Sequence, residues 1–199
     1  MTISFFLQNN LFYVHSEQYS KIYEVAEMRK MADSIALFLK DVALNANFSH
    51  YKRIVYSSGA TSFTTARIIY SLLKGLRIAF PALTFLGISH FLTYLTIFNK
   101  KSPSGIIAIP TMRGDYFICE YNQSLLSSAK ILSIDTLKRS TQIVFFIENS
   151  DFNNLNLAKL QFQLLNTPAL TRNLNFINND LKIDYGFTPE YRNQKTCGF

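Results

Sequence analysis

Tryptophan is absent from this chain of 199 residues, and histidine, cysteine, proline and glycine are scarce, with three, two, five and seven copies. Cys119 and Cys197 have neither metal-ligand spacing nor the density of a secreted scaffold, so they read as reduced thiols of a cytoplasmic protein. His15, His50 and His90 stand far apart, with no imidazole partner three or four residues away. That spacing excludes a paired-histidine metal motif on one helix, and each reads as a surface or capping side chain. Scarce glycine leaves no glycine-rich turn to cradle phosphates. Basic residues come at most in pairs such as Arg29-Lys30 and Lys100-Lys101, so no polybasic arm is present. The first residues, Met1-Thr2-Ile3-Ser4, carry no basic region of the kind that opens a secretory signal.

Apolar material is plentiful. Hydrophobic residues make up 48% and charged residues 17%, with eighteen Phe and eleven Tyr, which describes a folded protein with one substantial core or two small lobes. The formal net charge of +7 is spread along the chain; it permits a polyanion nearby without defining a site. Residues 78–99 contain no Asp, Glu, Lys or Arg, a length that could cross a bilayer. Pro81, Gly87, Ser89, His90 and three threonines interrupt that span, so it reads as a buried strand at 83–88 and a buried helix from residue 89, with no membrane crossing.

Along the chain, residues 3–8 and 11–16 flank Asn9-Asn10 and read as a β-hairpin, with residues 21–27 as a third strand. Met28, Met31, Ala32, Ile35, Leu39 and Val42 then recur at helical steps. A strand at 53–56 precedes a small-residue turn and a helix lined by Ala66, Ile69, Leu72, Leu73 and Leu76, with Thr61 or Ser62 as its cap. Near residue 99 a polar, Pro/Gly-containing stretch marks a lobe boundary, dividing the chain into 1–98 and 99–199. Beyond it, residues 106–110, 116–121 and 142–148 read as strands and 155–165 as a short helix. Hairpin, then alternating helices and strands, gives an α/β class with mixed sheets. By element order it is similar to the ribonuclease H-like arrangement of actin, hexokinases and Hsp70 ATPases.

No residue set supports autonomous catalysis. Ser57-Ser58-Gly59 has no base in sequence, and Asp115, Glu120 and Asp135 read as surface charge.

The turn and helix start Gly59-Ala60-Thr61-Ser62-Phe63-Thr64-Thr65-Ala66-Arg67 resembles the G-P-G-S-F-T-G-x-R segment of the TsaB (YeaZ) family. Three further blocks follow in that family's order. Gly87-Ile88-Ser89-His90-Phe91-Leu92 is similar to a G-V-S-T/S-L-x-x-L join, and residues 108–117 to an A-I-D-A-R-M-G-E-V-Y hairpin. Pro189-Glu190-Tyr191-Arg192 is similar to a P-x-Y-L-R sequence. Departures are clear: Phe5-Phe6-Leu7-Gln8-Asn9-Asn10 lacks the Asp-Thr of the opening strand, Ala60-Thr61 replaces Pro-Gly, and Pro110 and Met112 replace Asp and Arg.

The resemblance implies a non-catalytic subunit for threonylcarbamoyl modification of the tRNA adenosine beside the anticodon. Its partner would be a TsaD-like catalytic subunit, with a TsaE-like ATPase in the assembly, a homodimer when alone, and tRNA met only indirectly. It implies that helices 28–44 and 63–79 form the partner interface through Met28, Met31, Ile35, Leu39, Phe63, Arg67, Ile69, Leu72 and Leu76. Read as residues alone, these apolar positions equally suit the chain's own core. Leu37, Phe38, Ile68, Tyr70 and Leu73 lie at the edges of the stripes and leave a second face. No cofactor is expected on this chain alone. ATP and a metal would sit at the shared interface, where Gly59, Ser62 and Thr64 help to close a nucleotide site. Arg67 in a first helical turn opposes the helix dipole and calls for an acceptor such as phosphate or carboxylate. The rival readings are a divergent small kinase or ATPase of the same fold, a membrane-associated protein, and a decayed copy without a partner.

Overall fold

The computed structural model describes residues 1–8, 11–24, 37, 40–42, 48–61, 63–111, 113–147, 157–164 and 177–178, with the backbone alone at residues 8, 63, 64, 177 and 178. The strands are β1 (Thr2–Gln8), β2 (Leu11–Ser16), β3 (Ser20–Glu24), β4 (Arg53–Ser58), β5 (Thr84–Ser89), β6 (Ser104–Pro110), β7 (Tyr116–Asn122), β8 (Leu125–Leu126), β9 (Lys130–Leu132), β10 (Val144–Phe146) and β11 (Ile177–Asn178). The helices are α1 (Phe63–Ala79), α2 (His90–Phe98), α3 (Ile134–Lys138) and α4 (Leu157–Leu164).

Two mixed sheets result. In the first, of order β11-β5-β4-β1-β2-β3, β1, β4 and β5 run parallel while β2 and β3 continue antiparallel. In the second, β10 runs parallel to β6, and β7 pairs antiparallel with β6, β8 and β9. The class is α/β, and the arrangement is the ribonuclease H-like one of actin and Hsp70-type ATPases.

Strand periodicity assigns the layers. On β1, Ile3, Phe5 and Leu7 join Phe12, Ile54 and Phe85 beneath Ile69, Leu72, Leu73 and Leu76 of α1. The opposite face carries Phe6, Tyr13, Val55 and Ile88 against α2 and α4. Beyond those helices lie Ile107, Ile109, Phe117 and Tyr121 of the second sheet. Ile106, Ala108 and Ile118 on its far face meet Leu137 of α3. The order of layers is therefore α1, sheet, α2 with α4, sheet, α3.

Helix α2 thus lies between two sheets, which explains why its sequence is apolar all round. His90 to Leu95 and Phe98 are all buried, and each large apolar side chain contributes about 1.5–3 kcal/mol. Phe98 stacks on Phe145 with ring centroids 4.6 Å apart. Ser89 caps the helix, its Oγ accepting from Phe91 N at 3.2 Å. No described helix is long and apolar enough to cross a membrane. Gly87 faces Tyr56, whose ring atoms would lie 2.9 Å from an added Cβ, so the glycine makes room for that ring.

The second sheet begins at Ser104, close to the expected lobe boundary. The chain then returns: α4 packs on β1, β2 and β4, and β11 pairs with β5. Its anchor is Gln161, 0% exposed between the sheets. Its Oε1 accepts from Ser4 Oγ at 3.0 Å and its Nε2 donates to Ile88 O at 3.4 Å. Replacing Gln161 by Leu keeps the volume and leaves the Ser4 hydroxyl buried without that acceptor. A loss of about 1–3 kcal/mol in urea unfolding is expected.

Cys119 is fully buried, its Sγ donating to Ser127 O at 3.0 Å. Burial pushes its thiol up to about 12. In a Cys197→Ser chain at neutral to mildly alkaline pH, the remaining thiol should react with a disulfide reagent slower than a free cysteine, on the order of a thousandfold, until denaturant is added.

Candidate functional site

Parallel strands β1, β4 and β5 end on one side of the sheet, where open α/β sheets usually bind ligands. Here those ends are tied together by His90. Its Nδ1 lies 2.9 Å from Ser58 O and its Nε2 3.2 Å from Leu7 O, while its ring meets Phe6 edge-on at 4.8 Å. Leu7 N in turn donates to Ser57 Oγ at 3.2 Å. A carbonyl only accepts, and a neutral imidazole has one N–H, so the shorter contact favours Nδ1 as the donor. At 1% exposure His90 is a buried tie between main chains, which corrects its reading as a surface imidazole and removes it as a general base.

The turn after β4 bends through left-handed backbone, with φ of 68° at Gly59 and 26° at Ala60. Glycine carries the first at little cost; alanine holds the second under strain of about 1 kcal/mol. Ser57 and Ser58 are buried, so the Ser57-Ser58-Gly59 run does not present a nucleophile. Of the expected nucleotide contacts, Gly59 lies in this turn, Ser62 lies outside the described residues, and Thr64 is described only as helix backbone. No group of three His, Cys, Asp or Glu side chains gathers among the described residues to hold a metal ion. The residues present therefore do not fit a metal-bound nucleotide held by this chain alone.

Four of the expected interface residues, Met28, Met31, Ile35 and Leu39, lie outside the described residues, and Phe63 is described only as backbone. Arg67 is exposed on α1. The assignment of Ile69, Leu72 and Leu76 to a partner face is corrected by their burial. Each is 7% exposed and packs in the chain's own core with Ile3, Phe5 and Phe85. Leu73, expected at an edge, is 0% exposed. The outward face of α1 carries instead Arg67, Ser71, Lys74, Gly75 and Ile78. Continuing the helical step from Arg67 through residues 71, 74 and 78 would have found it in the sequence.

The earlier helix is fixed by its visible end. Val42 enters the core under α1, and Leu37 is exposed. Asp41 Oδ2 accepts from Lys21 Nζ at 2.8 Å and from the Tyr23 and Tyr19 hydroxyls, which also contact one another. These donors, Lys21 foremost and then Tyr23, hold the Asp41 carboxyl below its ordinary range. The cluster ties residues 40–42 to the β2–β3 ribbon.

Replacing His90 by Phe preserves ring volume and deprives two buried carbonyls of their partner. We expect about 2–4 kcal/mol of destabilisation by chemical denaturation. A change below about 0.5 kcal/mol would mean the tie carries no stability.

No family model and no curated protein matches the sequence. Among solved structures, the chain is similar to YeaZ from Pseudomonas aeruginosa, with a TM-score of 0.60 and 15% identity over 83% of this chain and 90% of that one. It is also similar to an uncharacterized protein with similarity to peptidase YEAZ from Pseudomonas aeruginosa, with a TM-score of 0.51 and 14% identity over 74% of this chain and 82% of that one. The likeness spans nearly the whole of YeaZ, and the fold of this chain is a YeaZ-like one.

Proposed function

We propose that this chain is a non-catalytic, TsaB-like subunit that binds a TsaD-like catalytic partner and supports threonylcarbamoyl transfer to the adenosine beside the tRNA anticodon. The observation that carries the reading is the YeaZ-like fold over 83% of the chain, together with the ordered sequence blocks that resemble the same family. The strand ends support it. They are filled by main-chain contacts to His90, and the opening strand ends in Leu7-Gln8 without a carboxylate. ATP and its metal would be held by the partner or at the shared interface, with a TsaE-like ATPase recruited to the complex and tRNA bound by the other subunits. The setting is the cytoplasm.

Co-expression with the TsaD-like protein of the same genome tests this reading. A stable one-to-one complex that restores modified tRNA in cells lacking the native subunit is the expected result. Titration of the lone chain with Mg-ATP separates the kinase or ATPase rival. Dissociation constants on the order of micromolar, with no complex formed, would replace the subunit reading by that rival.

A further inference from the structure

The outward face of α1 has side chains that serve no described purpose within the chain. Arg67, Ser71, Lys74 and Ile78 follow one another at helical steps and lie opposite Ile69, Leu72, Leu73 and Leu76. All four are exposed, Ile78 at 75%, and Arg77 flanks them. The helix has 17 residues and no Asp or Glu. Lys74 and Arg77 form no ion pair among the described residues. Arg77, in the last turn, suits the helix dipole; Arg67, in the first, opposes it. Gly75 is the second anomaly. An added Cβ there would meet nothing within 4 Å, so the chain's own packing does not require glycine, yet glycine inside a helix is unfavourable relative to alanine.

We propose that this face is a seam for an acidic helix of the catalytic partner, crossing α1 at Gly75 closely enough to exclude a Cβ, with Ile78 as its apolar anchor. The proposal rests on reading the chain as a partner-binding subunit, and it adds the chemistry of the partner's surface. It also decides against self-pairing through α1. A two-fold axis on this helix would set the cations at 67, 74 and 77 of one copy against the same set on the other, with no acid on either helix to offset them. A partner helix rich in Asp and Glu meets the same cations with attraction, and steers its own approach.

Isothermal titration with the TsaD-like protein, at about 50 and about 500 mM NaCl, tests the seam on full-length chains. Lys74→Glu should weaken binding at least about tenfold at low salt, and the difference should shrink at high salt. Gly75→Ala should raise the melting temperature of the lone chain and still weaken binding by roughly tenfold, a combination that a purely structural glycine would not give. Lys138→Glu, the same charge change on exposed α3, should bind as wild type. If all variants bind equally, the seam is wrong and the subunit reading stands. If wild type does not bind, both fall. A dimer of the lone chain at low salt that Ile78→Asp dissolves would also overturn the seam.

Discussion

Burial of α2 between two sheets is the constraint on which the rest of the molecule depends. A helix covered on every side can carry no charge that lacks a partner, and the layers above and below it must both offer apolar faces. The uncharged span at 78–99 is the sequence record of that position. Phe6 and Tyr13 from one side and Phe117, Tyr121 and Phe145 from the other close on the same nine-residue helix. Gln161, the fully buried polar side chain that α4 brings into this layer, is admitted with both ends of its amide paired.

The same placement brings the first residue of α2 against the ends of β1 and β4. In an open α/β sheet that region is a crevice, and a ligand would use the free main-chain groups and helix amides there. Here the imidazole of His90 takes two of those carbonyls, and the side chains around it are Phe6, Leu7 and buried serines. No ionisable side chain of β1, β5 or α2 other than His90 is available to it, since those elements carry no Asp, Glu, Lys or Arg. The fold is that of a nucleotide-using architecture whose strand ends are stitched by a neutral contact. Chemistry that needs charge has to come from elsewhere, and the charge this chain does display on a long helix lies on the outer face of α1.

Much of the fold was legible. The apolar alternation of residues 3–8 and 11–16, the helical repeat ending near residue 80 and the strand-then-helix reading of 83–98 are all found in place, because each carries a local periodic signal. The sheet at 142–148 is shorter than expected, Val144–Phe146 within the described part, since Gln142 and Ile143 are exposed at its entrance. The return of α4 and β11 to the first sheet was not legible. Leu157, Ala158 and Leu164 mark an amphipathic helix, but nothing local tells it which sheet to cover. His90 was misread for the same reason. Its two acceptors lie 32 and 83 residues away along the chain, beyond the reach of any spacing rule.

The site residues show where a periodicity argument stops. On α1 the apolar stripe was found correctly and given the wrong partner, because a 3.6-residue repeat reports that a face is buried and not what buries it. Ile69, Leu72 and Leu76 are taken by Ile3, Phe5 and Phe85, so a charge placed at Leu72 would be buried in the core and would abolish association by unfolding the chain. Such a variant could not distinguish an interface from a core. The residues that can are those whose identity the fold leaves unexplained: an uncovered Ile78, a cation at position 74 without a described ion-pair partner, and a glycine at 75 with open space around it. In a helix that must satisfy its own core on one side, the choices made on the other side are where a second protein leaves its mark.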